Sequence, residues 1–297
     1  MEKLRPKLFS TMKGYTKEQF VKDVISGIIV AIIALPLSIA LALASGVTPE
    51  QGIYTAIIAG FLISLFGGSR VQIAGPTAAF AIIVAGIVAE NGMSGLIIAT
   101  ILAGIILIIM GLCRLGNLIK FIPFTITTGF TAGIAVTIVI GQLKDFFGIT
   151  YKKGLPTVET MDKLKALFKS FDSFNYQALI VGLVCLAVLI IWPYINKTIP
   201  GSLIAVIVGI AMVNGLKMNV NTIGDLYTIS NKLPSFSVPA FNLDTIGKLL
   251  PDAFTIAILA AIESLLSCVV ADSMVHSKHN SNMELIAQGI GNIGSGL

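Results

Sequence analysis

Glu263 is the residue whose position most strongly indicates chemistry. It is the only acidic or basic side chain well inside an apolar segment, the one that follows Pro251. A carboxylate within a membrane is costly and is therefore a functional candidate by default, as a proton carrier or a cation ligand. Ser264 and Ser267 lie nearby, and Ser267 is one helical turn further along the same face. The alternative is a carboxylate hydrogen-bonded to a neighbouring helix that serves packing alone.

A second candidate is the stretch GGSRVQIAGPTAAFAII, residues 67–83, where polar residues and a Gly75-Pro76 pair interrupt the apolar sequence. The pair ends any helix arriving from Ser69, and Pro76 is predicted as the first residue of the next helix. The free N–H groups of Thr77, Ala78 and Ala79 would then point into the membrane interior. Such donors must meet a cavity or a ligand, and a helix amino terminus attracts anions. The alternative is a proline kink in a buried helix.

Pro36 lies in the middle of the first apolar segment, IIALPLSIALALASG, and is predicted to break it. Ser38 would place a hydroxyl near the break, while Leu37 and Leu41 would supply an apolar wall. Proline is common within membrane helices, so this feature alone does not favour function over a simple kink.

Other reactive residues indicate little chemistry. His276 and His279 have a spacing that could bind a metal, but no third ligand is evident, and a solvated loop is the better interpretation. The three cysteines lie apart and are interpreted as small buried hydrophobic residues. We find no nucleophile triad, phosphate loop or haem motif. The sequence therefore predicts neither an enzyme nor a cofactor or metal site.

Composition places these candidates in a membrane. Hydrophobic residues make up 55% of the 297 residues and charged residues only 12%, which predicts a polytopic membrane protein. The net charge of +5 reflects a basic amino-terminal tail and basic connections without a compact patch, so we expect no nucleic-acid partner. No cleavable signal peptide is visible, and the basic tail predicts a cytoplasmic amino terminus.

Apolar segments of spanning length recur along the chain, at residues 24–45, 51–67, 94–113, 122–143, 176–195, 199–216 and 253–271. Residues 77–90 form an eighth segment, whose length of about 21 Å as a helix is too short to span. We therefore expect it to begin near the middle of the membrane. Alternating orientations agree with the positive-inside rule except at the lysine-rich connection 144–175.

Two sequence patterns predict helix starts. Thr48-Pro49-Glu50-Gln51 and Ser281-Asn282-Met283-Glu284 both resemble capping boxes. The spacing of Gly129, Gly133 and Gly141 predicts close helix packing. Residues 29–46 weakly resemble residues 255–272, and an odd number of crossings between them would make the second copy inverted, as in many transporters.

The two motif regions resemble one family. The stretch GIIVAIIALPLSIALALASGVTPEQGIYTAIIAGFLISLFGGSRVQIAGPTAAF, with AAIESLLSCVVADSMVHSKHNSNMELIAQGIGNI, is similar to the SulP family of anion transporters, the sulfate permeases. The resemblance runs from about Asp23 to the end of the chain. It implies an all-α membrane fold of two inverted seven-helix repeats, of which this chain holds the first repeat and the start of the second.

The resemblance also implies a division into functional regions. Residues 1–23 would be a cytoplasmic segment, 24–113 would hold core-domain helices one to four with half-helix three, 114–250 would hold gate-domain helices five to seven, and 251–297 would begin the second repeat. The chain would stop before half-helix ten and the cytoplasmic STAS domain that are usual in the family. The sequence would then be a truncated piece that encodes half of the anion site.

Site residues follow from the same resemblance. Substrate-binding residues would be Pro36, Leu37, Ser38, Leu41, Gly75, Pro76, Thr77, Ala78 and Ala79, and cation-coupling residues would be Glu263, Ser264 and Ser267. Where some family members have a polar residue after the first-helix proline, this chain has Leu37. That difference favours a site built on helix dipoles and leaves the identity of the anion open.

The leading hypothesis is secondary active transport of a small inorganic anion, sulfate first, coupled to H⁺ by a rocking or elevator motion of the core domain. Alternatives are Na⁺ coupling with bicarbonate or a dicarboxylate, nucleobase–proton symport on the same fold, and a non-transporting scaffold or half-transporter. The resemblance implies a plasma-membrane protein that contacts membrane lipid and forms a homodimer at full length.

Overall fold

The computed structural model describes residues 4–121, 124–157, 159–196, 199–227 and 242–297. Within these ranges the regular structure is helical and contains no β-strand, as predicted. The α-helices are α1 (Leu8–Thr11), α2 (Lys17–Ala44), α3 (Pro49–Phe66), α4 (Ala78–Leu112), α5 (Phe124–Phe146), α6 (Thr160–Lys169), α7 (Tyr176–Ile195), α8 (Gly201–Gly215), α9 (Ile223–Leu226), α10 (Leu243–Val275) and α11 (Ser281–Gly296). Two 3₁₀ turns follow α4 and α6, at Leu115–Phe121 and Phe171–Ser173.

The predicted apolar segments correspond to α2, α3, α4, α5, α7, α8 and α10. In the described part of the chain, five helices are long and apolar enough to cross a membrane, namely α2, α3, α4, α7 and most of α10. The helix α8 has 15 residues and, at about 1.5 Å per residue, is shorter than these five helices. The two segments at 77–90 and 94–113 both lie in α4.

A kink at Gly92 divides α4. This glycine has φ 67° and ψ −174°, a non-helical conformation that joins two helices end to end. A φ in this range is available to glycine without the steric cost that a Cβ would add. The residues before the kink therefore form a short helix of their own, as the separate segment 77–90 predicts.

The start of α2 differs from its predicted boundary, and Pro36 does not end the helix. Thr16 and Gln19 form a capping box, in which each side chain accepts a hydrogen bond from the other residue's backbone N–H. The helix therefore begins seven residues before the apolar segment at Val24. Pro36 lies inside a continuous α2, so the predicted break is wrong, because one proline removes a single hydrogen bond of the helix and leaves the others.

The starts of α10 and α11 also correct the prediction. Asn242 caps α10 by accepting a hydrogen bond from the Asp244 N–H, so the helix begins well before Pro251 and contains it. In α11 the cap is Asn280, whose side chain accepts from the Met283 N–H at 3.1 Å. The predicted capping box of Ser281 and Glu284 is therefore wrong, whereas that of Thr48 and Gln51 is confirmed.

The structure divides into two compact units. In the described chain, the first unit contains residues 4–24, 37–121, 124–127 and 242–297, and therefore α3, α4, α10 and α11. Its core lies between α4 and α10, where small and branched side chains interdigitate. The buried members are Ile87, Leu96, Ala99, Ala103, Leu107, Ala253, Ile256, Ala257, Ala260, Ala261, Leu265 and, from α11, Leu285.

Glycines bring α4 and α11 into backbone contact. A Cβ on Gly104 would lie 2.6 Å from the Gly289 carbonyl oxygen and 2.7 Å from Cγ1 of Ile293. A Cβ on Gly111 would lie 2.7 Å from the Asn282 carbonyl oxygen. These distances leave no space for a side chain, so the approach of the two helices depends on glycine at these positions.

The second unit contains residues 25–36 and the described residues of 128–229. Asn175 caps α7 and donates a hydrogen bond to the Asn219 carbonyl oxygen at 2.7 Å. Trp192 of α7 donates to the Ile199 carbonyl oxygen at 2.9 Å, just before α8. These bonds join both ends of α7 to the chain that flanks α8.

The predicted close packing at the α5 glycines is not found among the residues that the structure describes. A Cβ on Gly129, Gly133 or Gly141 would meet none of the described atoms within 4 Å. Small-residue spacing leaves room for a close neighbour but does not determine which helix packs there.

We expect Gly104→Ala to lower the free energy of unfolding by about 1–3 kcal/mol, because the new methyl group overlaps Gly289 and Ile293. The measurement is thermal unfolding of the purified protein in detergent. Gly86→Ala is the matched control, because it adds a methyl group to α4 with no atom within 4 Å. Equal melting temperatures of the two variants would contradict the close approach of α4 and α11.

Candidate functional site

The polar stretch between α3 and α4 is a non-helical break, as predicted. α3 ends at Phe66, Gly67 is extended with ψ 155°, and α4 begins at Ala78. Thr77 is the residue that precedes the helix, with φ −125° and ψ 152°. The predicted position of Pro76 as the first helical residue is therefore wrong by two residues, because Pro76 and the extended Thr77 both precede the helix.

The amino terminus of α4 lacks a side-chain cap from Thr77. The Thr77 side chain forms no capping hydrogen bond to the first turn of α4. The residues Gly75 to Ala79 are neither fully buried nor fully exposed. The start of α4 therefore combines partial access with the positive end of a helix dipole, which are the two requirements for binding an anion at a helix amino terminus.

The Thr77 hydroxyl is directed to Glu263. Thr77 Oγ1 donates a hydrogen bond of 2.9 Å to Glu263 Oε2, across 186 residues of sequence. Both residues belong to the first unit, one at the start of α4 and the other within α10. The structure thus joins the two strongest sequence candidates in one contact.

The other predicted coupling residues point elsewhere. Ser264 is buried and receives a hydrogen bond of 2.8 Å from Gln288 Nε2 of α11. Ser267 is exposed. The Glu263 side chain therefore meets Thr77, while Ser264 faces α11.

The candidate residues of α2 differ in burial. Ser38 and Leu41 are buried, and the backbone of Ser38 lies so close to Gly52 of α3 that a Cβ on Gly52 would overlap it. Leu37 is 54% exposed, and Pro36 is partly buried. Among the described residues, no hydrogen bond links these side chains to Thr77 or Glu263.

Glu284 is a buried carboxylate whose contacts the sequence did not reveal. Its side chain is fully buried, and its Oε2 accepts a hydrogen bond of 2.9 Å from the Gly68 N–H. Its Oε1 lies 3.2 Å from Gln288 Nε2 and 3.4 Å from Ser264 Oγ. The available signal was the spacing of Glu284 and Gln288, one helical turn apart on a helix rich in glycine and apolar residues.

His279 is not solvated as its loop position predicted. Its Nδ1 lies 2.7 Å from Asp272 Oδ2, its Nε2 lies 2.9 Å from Ser281 Oγ, and its side chain is 8% exposed. His276 is exposed, with φ 50°, at the end of α10. The described residues contain no group of three or more His, Cys, Asp or Glu side chains that could hold a metal ion. The Asp272–His279–Ser281 contacts fix the turn between α10 and α11.

Together, these features define the class of protein: a helical membrane protein with apolar helices of spanning length, a helix break and a carboxylate beside that break. The family model described as "Sulfate permease family" matches residues 20–297, and the chain belongs to that family. It is a family of membrane transporters and not of enzymes.

Curated relatives support this assignment. The chain is 41% identical over 291 residues to the putative sulfate transporter YvdB of Bacillus subtilis, and the match covers 96% of the chain and 54% of the relative. It is 32% identical over 288 residues to the bicarbonate transporter BicA of Picosynechococcus, and the match covers 93% of the chain and 50% of that relative. The chain thus spans about half the length of the curated relatives it matches.

Solved structures show the same fold. The transmembrane domain of a cyanobacterial bicarbonate transporter, BicA, aligns with a TM-score of 0.80 and 32% identity, over 92% of this chain and 71% of that one. Murine Slc26a9, an anion transporter in the inward-facing state, aligns with a TM-score of 0.80 and 18% identity, over 98% of this chain and 52% of that one. The fold is therefore that of this transporter group, represented in part, which confirms the predicted fold class.

We expect Thr77→Val to lower the free energy of unfolding by about 1–3 kcal/mol, because the partly buried Glu263 carboxylate loses its donor. Thr77→Ser keeps the hydroxyl and should cost much less. Chemical unfolding of both variants in detergent measures the difference. Equal losses for Val and Ser would show that the hydroxyl contact contributes nothing and that only packing changed.

Proposed function

We propose that the protein is a secondary active transporter of small inorganic anions, with sulfate as the first candidate and H⁺ as the coupling ion. The observation that carries the proposal is the 2.9 Å hydrogen bond between Thr77, at the start of α4, and Glu263 in α10. It joins a helix amino terminus, which attracts anions, to a carboxylate, which can take up a cation.

The anion would bind at the amino terminus of α4. The N–H groups at the start of that helix and its dipole favour a negative charge, and the Thr77 side chain does not cap them. Gly75 and Pro76 would form the extended approach to this site, with Ala78 and Ala79 in the first turn. The small side chains of these residues let an anion approach the backbone closely.

Electrostatics supplies a reason for coupling. Two negative charges at a short distance in a poorly polarisable environment repel each other by several kcal/mol, on the order of 4 kcal/mol at 4 Å with an effective dielectric constant of about 20. An ionised Glu263 beside the bound anion would therefore oppose binding. A proton on Glu263 removes that repulsion, so anion and proton would bind together and be released together.

The coupling group would be Glu263, assisted by neighbouring oxygen atoms. The Thr77 hydroxyl already contacts it, and Ser264 and Ser267 are the further candidates on α10. Na⁺ is the alternative coupling ion, because carboxylate and hydroxyl oxygens are also ligands for hard cations. Ser264 would have to leave its contact with Gln288 to serve in that way.

Bicarbonate is the second candidate substrate. The relatives include proteins named as bicarbonate transporters at 32% and 33% identity, beside the putative sulfate transporter at 41% identity. Leu37 is apolar and exposed, which leaves recognition to the backbone. Such a site selects for charge and size, and both sulfate and bicarbonate satisfy it.

We further propose an integral plasma-membrane location, with the amino terminus in the cytoplasm, a moving core domain and a homodimer at full length. Exposed apolar side chains along α2, including Ile25, Ile28, Ile32 and Leu35, fit contact with lipid. The basic residues before the first span support the proposed orientation.

We expect Glu263→Gln to abolish stimulation of anion uptake by an inward proton gradient, because the amide cannot bind a proton in the physiological range. Uptake of labelled sulfate by the full-length protein in proteoliposomes measures it, with and without the gradient. Glu90→Gln, an exposed carboxylate of α4, is the control and should retain stimulation. Gradient-stimulated uptake in the Glu263 variant would exclude Glu263 as the proton-coupling group.

The identity of the anion is tested by competition. We expect unlabelled sulfate to reduce labelled sulfate uptake at lower concentration than bicarbonate does, at fixed pH and membrane potential. Replacing external Na⁺ with K⁺ separates the two coupling ions and should leave uptake unchanged. Uptake of labelled bicarbonate that requires Na⁺, without sulfate uptake, would replace both the proposed substrate and the proposed ion.

A further inference from the structure

We propose that Glu284 is a positioning residue of the anion site: its buried carboxylate holds the Gly67–Gly68 turn and α10 together and thereby sets the Thr77–Glu263 geometry. The inference rests on the proposed function of that site. Glu284 itself contacts neither Thr77 nor Glu263 in the hydrogen bonds of the described residues, so it would act through the segments that carry them.

The contacts of Glu284 are those of a structural acceptor. Oε2 receives the Gly68 N–H at 2.9 Å, and Oε1 receives Gln288 Nε2 at 3.2 Å and Ser264 Oγ at 3.4 Å. An ionised carboxylate only accepts hydrogen bonds, and every one of these partners can donate one. A fully buried carboxylate is expensive unless it is hydrogen-bonded in this way, so the residue requires an explanation beyond packing.

Helix capping does not supply that explanation. Asn280 caps α11 through its own side chain, and the Glu284 side chain accepts the Gly68 N–H, which belongs to the α3–α4 connection and not to the first turn of α11. The bond to Gly68 spans 216 residues of sequence. Glu284 thus joins two distant parts of the first unit.

The first contact of Glu284, with Gly68, lies at the break between α3 and α4. Gly68 is the second residue of the non-helical stretch that leads to Thr77, and its carbonyl oxygen accepts the Asn280 N–H at 2.8 Å. A Cβ on Gly68 would overlap the Asn280 carbonyl oxygen and lie 2.9 Å from the Glu284 N atom. One end of the extended stretch is therefore held on α11 by two hydrogen bonds and a close backbone approach.

The second contact of Glu284, with Ser264, lies beside the proposed coupling carboxylate of Glu263. Ser264 directly follows Glu263 on α10, and it is held by Glu284 and Gln288. With Ser264 fixed towards α11, the rotation of α10 that presents Glu263 to Thr77 is fixed as well. The same carboxylate therefore determines the position of both partners of the Thr77–Glu263 hydrogen bond.

The helices themselves should survive the loss of this contact. Gly104 and Gly289 pack α4 on α11 independently of Glu284, and the apolar core between α4 and α10 remains. Glu284→Gln keeps the volume and one acceptor oxygen but places an NH₂ group where a donor is already present. The contact to Gly68 or the contact to Gln288 and Ser264 is then lost, which misplaces the binding site while the unit stays folded.

The test is the concentration dependence of labelled sulfate and labelled bicarbonate uptake by the full-length protein in proteoliposomes. For the anion that the parent protein transports, we expect Glu284→Gln to raise KM about tenfold, with a smaller change in maximal rate. Stimulation by the cation gradient should remain, because Glu263 is intact. Glu284→Asp, which keeps the carboxyl group on a shorter stem, should recover part of the affinity.

Two further variants keep the result interpretable. Gln288→Met removes one donor of the network at nearly constant volume and should raise KM about threefold. Ser295→Ala removes a local hydroxyl contact on the same helix and should leave KM unchanged. Unfolding temperature and size-exclusion profile establish which variants are folded.

The inference and the proposed function fail in different ways. Unchanged KM in folded Glu284→Gln, or loss of gradient stimulation as in Glu263→Gln, would overturn the positioning role. If Glu284→Gln does not fold, an unchanged KM in Gln288→Met overturns it. Absence of uptake of either anion by the parent protein would overturn the proposed function, and this inference with it.

Discussion

The break between α3 and α4 imposes the main constraint on this structure. Backbone groups released from a helix in an apolar environment must find partners within the protein or in a water-filled cavity. At the α3 end the protein supplies them: the Gly67 carbonyl oxygen accepts the Lys7 N–H at 2.8 Å, and Gly68 pairs with both Glu284 and Asn280. At the α4 end the Thr77 side chain leaves the helix start uncapped. Protein contacts thus satisfy the α3 end of the break, and the start of α4 is the end at which we propose that the anion binds.

The hydrogen bonds that Gly68 needs at the α3 end of the break determine where α11 lies. Its first turn must approach Gly68 closely enough for backbone contact, and its next turns must pass α4 at glycine positions. The same helix directs Glu284 and Gln288 to Ser264 of α10. A single helix therefore connects the break with the segment that carries Glu263, and this explains why α11 contains both polar residues and glycines.

The proposed transport chemistry follows from the difference between the two ends. A site that binds an anion through backbone N–H groups has little side-chain selectivity. A carboxylate adjacent to such a site links anion binding to cation binding through charge alone. In this view the protein scaffold contributes geometry, and the coupling comes from electrostatic repulsion between two anions.

The sequence alone determined the apolar helices, the short segment before Gly92, the break at Gly75-Pro76 and the candidacy of Glu263, because hydrophobic length, proline and an isolated carboxylate are local signals. Helix starts at Lys17, Leu243 and Ser281 were less predictable, since asparagine and threonine caps compete with neighbouring candidates over a few residues. Only the tertiary structure paired Thr77 with Glu263, turned Ser264 towards α11, brought Gly104 and Gly289 into close contact, and gave Glu284 a partner 216 residues away. These outcomes depend on which helix faces meet, and a periodic pattern does not contain that information.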